Sequence, residues 1–119
     1  MSGPTIRRGD IIRVDLEPVE GSEQAGDARP CVVIQNDTGN KYSPTTIVAP
    51  FTKEYDEGNL YPFEVELLSE NSVLSEDSVA DLSQIRVIDI DKRFVEKEGT
   101  VPANRMHEID RAIRISLGL

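Results

Sequence analysis

The polar segment 21–28 contains Gly21 and Gly26 and leads directly into Arg29. Its residue types indicate a binding or catalytic site more clearly than those of any other segment of the chain. Residues 21–30 are GSEQAGDARP, and Arg29 comes directly before Pro30 and an apolar run. A guanidinium presents a planar fork of donors that fits phosphate or carboxylate oxygens. Loops that a rigid scaffold positions often carry binding and catalytic groups. The segment therefore predicts an anion site with Arg29 as its fixed cation.

The other reactive side chains narrow the available mechanisms. His107 is the only histidine and Cys31 is the only cysteine. These counts exclude a mechanism that needs two imidazoles from one chain, an internal disulfide and a Cys-rich zinc site. They also disfavour a histidine-based metal site. A hydrolase with this sequence would have to work with carboxylates, hydroxyls and arginines.

The charge distribution bears on the kind of partner. The formal net charge is −9, which at first disfavours nucleic acid because phosphate binding normally comes with a basic surface. The charge is uneven, however: residues 54–85 contain nine acids and no Lys or Arg, whereas residues 1–53 contain six basic and seven acidic residues. A local basic groove on an acidic body is one interpretation. The other is that the acids simply cover solvated faces.

The chain of 119 residues predicts a single domain, with residues 1–8 as a loose N-terminal arm. Residues 10–16 alternate, with Ile12, Val14 and Leu16 on one face, which predicts a half-buried strand. The apolar run 30–35 predicts a central strand. Turn residues fill the segment that follows it, and further strands are predicted over residues 45–51, 63–67, 78–82 and 85–90.

The spacing of the apolar residues changes in the C-terminal part of the chain. Residues 93–100 are charged and are predicted to be irregular. Apolar residues then recur at helical spacing after Pro102 and stop before Gly118, which predicts a helix with one apolar stripe; these residues are Met106, Ile109, Ile113 and Leu117. Short strands followed by one helix predict a mainly β fold, a bent antiparallel sheet or small barrel with a C-terminal α-helix packed on it. A homodimer would cover an exposed strand edge.

Ordered blocks along the chain resemble the MazF/PemK family of toxins, also called mRNA interferases. The blocks include RGDI at 8–11, GSEQ at 21–24, RPCVVIQND at 29–37, GNKYSPT at 39–45 and QIRVID at 84–89. The resemblance covers residues 8–119. It implies an SH3-like antiparallel β-barrel, a homodimer, and metal-independent cleavage of single-stranded RNA without a cofactor. It also implies inhibition by a cognate, MazE-like antitoxin.

The resemblance also implies roles for individual residues. The family's catalytic arginine precedes a proline and corresponds to Arg29, and its catalytic threonine follows the pattern Ile-Val-Ala-x-x and corresponds to Thr52. Glu23 is a possible general base by its position in the loop. The residues expected to bind substrate are Ser22, Gln24, Lys53, Gln84 and Arg86. The chain departs from the family in a loop that is longer by one residue and includes Asp27, and in Ser83, where relatives often carry an acid.

Other interpretations stay open at this point. The chain could be a non-enzymatic, CcdB-like toxin that poisons a protein target, or an RNA- or protein-binding barrel without activity. Arg29 could be a surface ion-pair partner of Asp27 or Glu23, and Thr52 could simply end a strand. No apolar run reaches the ~20 residues of a membrane span, and the N-terminus lacks the apolar region of a secretory signal. We therefore expect a cytoplasmic protein with no membrane partner.

Overall fold

The computed structural model describes residues 4–119, which form an antiparallel sheet of seven strands with three helices. The strands are β1 Asp10–Val14, β2 Arg29–Val33, β3 Thr45–Thr52, β4 Glu64–Leu67, β5 Ser78–Asp81, β6 Arg86–Asp89 and β7 Phe94–Thr100. The helices are α1 Asp37–Tyr42, α2 Ile90–Arg93 and α3 Ala103–Leu117, and a 3-10 turn spans Ser69–Asn71. Among the described residues, no helix has both the length and the apolar character needed to cross a membrane.

The sheet bends around β3. Its hydrogen-bonded order is β4-β5-β3-β2-β1-β7, and β6 pairs with the first half of β3. One edge of β3 therefore pairs with β2, while the other edge pairs first with β6 and then with β5. This change of partner along one strand confirms the predicted bent antiparallel sheet with a C-terminal helix. The barrel is only loosely formed, because β4 and β7 lie at the two ends of the described strand order.

Two hydrophobic clusters lie on opposite faces of the central strands. Ile11 of β1 belongs to the cluster that includes Ile109 of α3, whereas Ile12 and Cys31 belong to the other cluster. Successive residues of a strand point to opposite faces, so β1 is buried on both sides at Ile11 and Ile12, whereas Arg13, on the face of Ile11, is half-buried. The prediction of a half-buried β1 is wrong at Ile11, because this residue is covered by the cluster that includes α3.

The N-terminal arm is packed where the structure describes it. Ile6 is 5% exposed and belongs to the same cluster as Ile12. The Arg8 Nε donates to the Ile34 carbonyl at 2.8 Å, and its Nη2 lies 2.7 Å from Asp110 Oδ1 of α3. The prediction of a loose arm is therefore wrong for residues 6–8, because the Ile6 side chain and the Arg8 guanidinium attach them to the core, whereas Pro4 and Thr5 are exposed. Residues 1–3 lie outside the described part.

Two segments adopt regular structure that their composition did not predict. The turn-rich segment 36–44 contains α1, because the Asn36 side chain caps the helix by accepting from the Gly39 N–H at 2.8 Å; turn residues and cap residues are the same types. The charged segment 94–100 is β7, which pairs with β1. Most side chains of this outer strand are solvated, so its sequence lacks the regular alternation of apolar and polar residues by which a strand is predicted.

Candidate active site

The pairing of β2 with β3 brings the predicted arginine and threonine to the same end of the sheet. The two strands are antiparallel, with Cys31 opposite Pro50. Extending this register by two residues places Arg29, the first residue of β2, opposite Thr52, the last residue of β3. Both residues line a surface cleft of about 360 Å³. The strand pairing thus places Arg29 and Thr52, which are distant in the sequence, at the same cleft.

The guanidinium of Arg29 is held by backbone carbonyls. Its Nη1 donates to the Ala25 carbonyl and its Nη2 donates to the Phe51 carbonyl, each at 2.8 Å. Within residues 4–119 it forms no ion pair, so the interpretation of Arg29 as a partner of Asp27 or Glu23 is wrong. The half-buried side chain keeps further N–H groups that can donate to an anion in the cleft.

The path of the Arg29 side chain depends on Gly26. Gly26 has a φ of +126°, and a Cβ built on it would lie 2.5 Å from Arg29 Cγ and 2.7 Å from Cδ. Its carbonyl accepts from the Leu16 N–H and its N–H donates to Glu17 Oε2, each at 2.7 Å. The loop between β1 and β2 therefore holds the Gly26 backbone in place as a surface on which the aliphatic part of Arg29 packs.

Thr52 presents a hydroxyl at the edge of the cleft. The residue is 8% exposed, and its Oγ1 accepts from the Glu54 N–H at 3.2 Å. In the described part of the chain, no acceptor takes the hydroxyl proton of Thr52. Because a hydroxyl can accept and donate at once, Thr52 can donate this proton to a ligand in the cleft. Thr52 does end β3, but it also lines the cleft beside Arg29.

Carboxylates that were not predicted as site residues also line the cleft. Glu54 and Glu76 lie on its wall, and Glu76 Oε2 is 3.0 Å from the Nζ of Lys53. Both acids come from the acid-rich region 54–85. The irregular segments that carry them have no period, so nothing in their spacing indicates which acids reach the cleft.

A second depression of about 640 Å³ adjoins the cleft and contains other predicted site residues. Gln84 and Arg86 line this depression, and Gln24 lines both sites. The Gln24 N–H donates to Gln84 Oε1 at 3.1 Å, which ties the loop to the turn between β5 and β6. Arg86 Nη1 donates to the Leu16 carbonyl at 3.1 Å, so this guanidinium also anchors the loop.

Glu23 and Ser22 are not part of the wall of the arginine cleft. Glu23 lines the second depression, and its Oε2 accepts from the Gly21 N–H at 2.9 Å. Ser22 is exposed and lines neither site. The loop therefore directs neighbouring side chains to different places, with Gln24 at the boundary of the two sites.

The cysteine is unsuited to act as a nucleophile. Cys31 is fully buried, and desolvation raises the pKa of its thiol to about 12 although Arg29 and Arg86 act in the opposite direction. The thiol is therefore protonated near neutral pH, and the thiolate is the reactive form. Among residues 4–119, no group of three or more His, Cys, Asp or Glu side chains is placed to hold a metal ion.

Comparison with known proteins identifies the family. The family model for PemK-like, MazF-like toxins of type II toxin–antitoxin systems matches residues 7–117. The chain belongs to this family. MazF from Deinococcus radiodurans is 25% identical, with a TM-score of 0.82 over 98% of this chain and 100% of that one. The family resemblance drawn from the sequence is confirmed.

Two mycobacterial structures share the fold of this MazF-like toxin. An endoribonuclease is 20% identical, with a TM-score of 0.75 over 98% of this chain and 94% of that one. An endoribonuclease in complex with its cognate antitoxin is also 20% identical, with a TM-score of 0.76 over 96% of each chain. At this identity the likeness shows the fold, so the chemistry of the toxin has to be argued from its own cleft.

Proposed function

We propose that this MazF-like toxin is an endoribonuclease that cleaves single-stranded mRNA at a short sequence and is inhibited by a cognate, MazE-like antitoxin. The observation that carries the proposal is that Arg29 and Thr52 line the same cleft. Family membership and the mycobacterial endoribonuclease bound to its antitoxin support it. The family match and the Arg29–Thr52 pair favour this function over a CcdB-like action on a protein target.

The proposed reaction uses a nucleophile that belongs to the RNA. The ribose 2′-oxygen attacks the adjacent phosphorus and loses its proton to a base, while the bond between phosphorus and the 5′-oxygen breaks. The 5′-oxygen takes up a proton, which leaves a 2′,3′-cyclic phosphate and a 5′-hydroxyl. Because no water has to be activated, the reaction needs orientation and charge stabilisation and can proceed without a metal.

The predicted site residues that line the cleft have places in this reaction. Arg29 donates to the nonbridging oxygens as negative charge develops on the phosphorane, and Thr52 donates a hydrogen bond to the same group. Lys53 and Gln24 contact the RNA at the cleft. Residues of the second depression, Gln84, Arg86 and Glu23, bind a neighbouring nucleotide. Glu23 has this binding role rather than the role of base, because it does not line the wall that carries Arg29.

We propose that the toxin acts as a cytoplasmic homodimer, since mRNA is its substrate and its outer strands carry exposed apolar side chains. Val87 of β6 is 59% exposed and Val95 of β7 is 49% exposed. Apolar residues on outer strands favour coverage by another chain.

The decisive test is incubation of the toxin with a long single-stranded RNA in EDTA. We expect discrete fragments with 2′,3′-cyclic phosphate and 5′-hydroxyl ends, and we expect equal cleavage with and without the chelator. Mapping the ends on a defined transcript gives the recognition sequence. Binding without cleavage would indicate an inactive RNA-binding barrel, and intact RNA together with stalled DNA gyrase would indicate a CcdB-like toxin.

The substitution Thr52→Val tests the hydroxyl. The two side chains have similar shapes, so the change removes only the hydroxyl: its donor function toward the substrate and its acceptor function toward the Glu54 N–H. We expect the single-turnover cleavage rate to fall by roughly 10- to 100-fold. Thr100→Val, on the exposed end of β7, is the matched control and should cleave at the wild-type rate. Equal rates for Thr52→Val and Thr100→Val would remove Thr52 from the mechanism.

A further inference from the structure

Lys53 and Glu76 form an ion pair at the cleft. The Nζ of Lys53 lies 3.0 Å from Glu76 Oε2, and their side chains are 63% and 60% exposed. Lys53 follows Thr52 directly at the end of β3, and Glu76 precedes β5. Both residues line the cleft that holds Arg29. The pair therefore lies where the phosphates of a bound strand would pass.

The pair contributes little to the stability of the fold. Exposed pairs of long side chains add little to stability, because water screens the charges and the side chains lose conformational freedom. In the cleft, however, the carboxylate of Glu76 competes with any phosphate for Lys53. A phosphate that takes this ammonium also leaves the Glu76 charge uncompensated nearby.

The other cations of the cleft are less free to move than Lys53. Arg29 donates to two backbone carbonyls, and Arg13 Nη1 donates to the Ala28 carbonyl at 2.7 Å. In the described chain, the ammonium of Lys53 has Glu76 as its one partner. Of these three side chains, Lys53 can therefore exchange its partner for a substrate phosphate with the loss of the fewest contacts within the protein.

We infer that Glu76 is a built-in attenuator of substrate affinity, because it holds Lys53 until a phosphate displaces it. The inference rests on the proposed ribonuclease function and adds to it a residue that tunes how tightly single-stranded RNA is bound. In the variant without the Glu76 charge, Lys53 neutralises a phosphate without first losing an ion pair, and no uncompensated carboxylate is left to take up a cation from solution. The toxin then binds RNA more tightly and with a steeper dependence on salt.

The test measures binding of a fluorescent 2′-O-methyl RNA of random sequence, which cannot form a cyclic phosphate. Glu76→Gln should lower Kd by about 2- to 5-fold at low salt, as expected for release of an exposed pair. The slope of log Kd against log salt concentration should increase by about 0.7, the value of one more net counterion released from a single strand, because no freed carboxylate takes a cation back. Cleavage of unmodified RNA at low salt should rise with the affinity.

Two variants separate this effect from a general change in charge. Glu70→Gln removes an exposed acid of the same region that does not line the cleft, and it should leave Kd and the slope close to wild type. In a Lys53→Met background, Glu76→Gln should lose most of its effect. Equal gains for Glu76→Gln and Glu70→Gln, or a full gain without Lys53, would overturn the inference.

The same measurements keep the two proposals apart. A wild-type toxin that cleaves RNA while Glu76→Gln behaves like Glu70→Gln overturns the attenuator alone. A wild-type toxin that neither cleaves unmodified RNA nor binds the methylated probe overturns the proposed function and the attenuator together.

Discussion

Replacement of Arg29 by alanine should lower the single-turnover rate of RNA cleavage by about 10²- to 10³-fold, the loss expected for one preorganised donor group at a developing anion. The guanidinium is held by the Ala25 and Phe51 carbonyls, so its remaining N–H groups are already directed before substrate binds. Arg29→Lys keeps the charge but loses the planar fork. We therefore expect the lysine variant to recover only a small part of the rate.

The measurement is a single-turnover time course on a labelled RNA, with thermal unfolding recorded for each variant. Arg114→Ala removes an exposed arginine of α3 and should leave the rate unchanged. Arg29 is only half-buried, so Arg29→Ala should stay folded. A folded Arg29→Ala protein that cleaves as fast as wild type would refute the proposed mechanism.

The second large effect is expected from Gly26→Ala, which should lower the cleavage rate by about 10- to 100-fold. The new methyl group would overlap with the Arg29 side chain, since it would lie 2.5 Å from Cγ, and the guanidinium would have to leave its two carbonyls. A side chain at a φ of +126° also strains the loop, at a cost of about 1–3 kcal/mol of stability. Single-turnover rates and denaturant unfolding measure the two effects separately.

Gly58→Ala is the matched control. A Cβ at Gly58 meets only Asp56 Oδ1, at an ordinary 3.8 Å, so rate and stability should stay close to wild type. If Gly26 acts by positioning Arg29, adding Gly26→Ala to Arg29→Ala should slow cleavage no further, because residues that act through one group are not additive. An additive loss in the double variant would show that Gly26 acts through something other than Arg29.

The elements with a buried face were predictable, because the residues on a buried face are apolar and recur at the spacing of a strand or a helix. β2 and β3 lie between two clusters, which is why their residues form continuous apolar runs. The helix α3 was visible from its stripe and from Gly118, whose φ of +73° ends the helix. β7 was not predicted, because most side chains of this outer strand are solvated and several are charged. Its sequence therefore lacks the alternation of apolar and polar residues that indicates a strand.

The sequence by itself determined that Arg29 comes directly before the apolar run 30–35 and that Thr52 comes directly after the apolar run 45–51, and family resemblance marked both as catalytic. Only the tertiary structure decided that they face each other, since this depends on the β2–β3 register. It also placed Glu76 against Lys53 and turned Glu23 toward the second depression. Local patterns encode what a segment buries, whereas contacts between irregular segments arise only when the whole chain has packed.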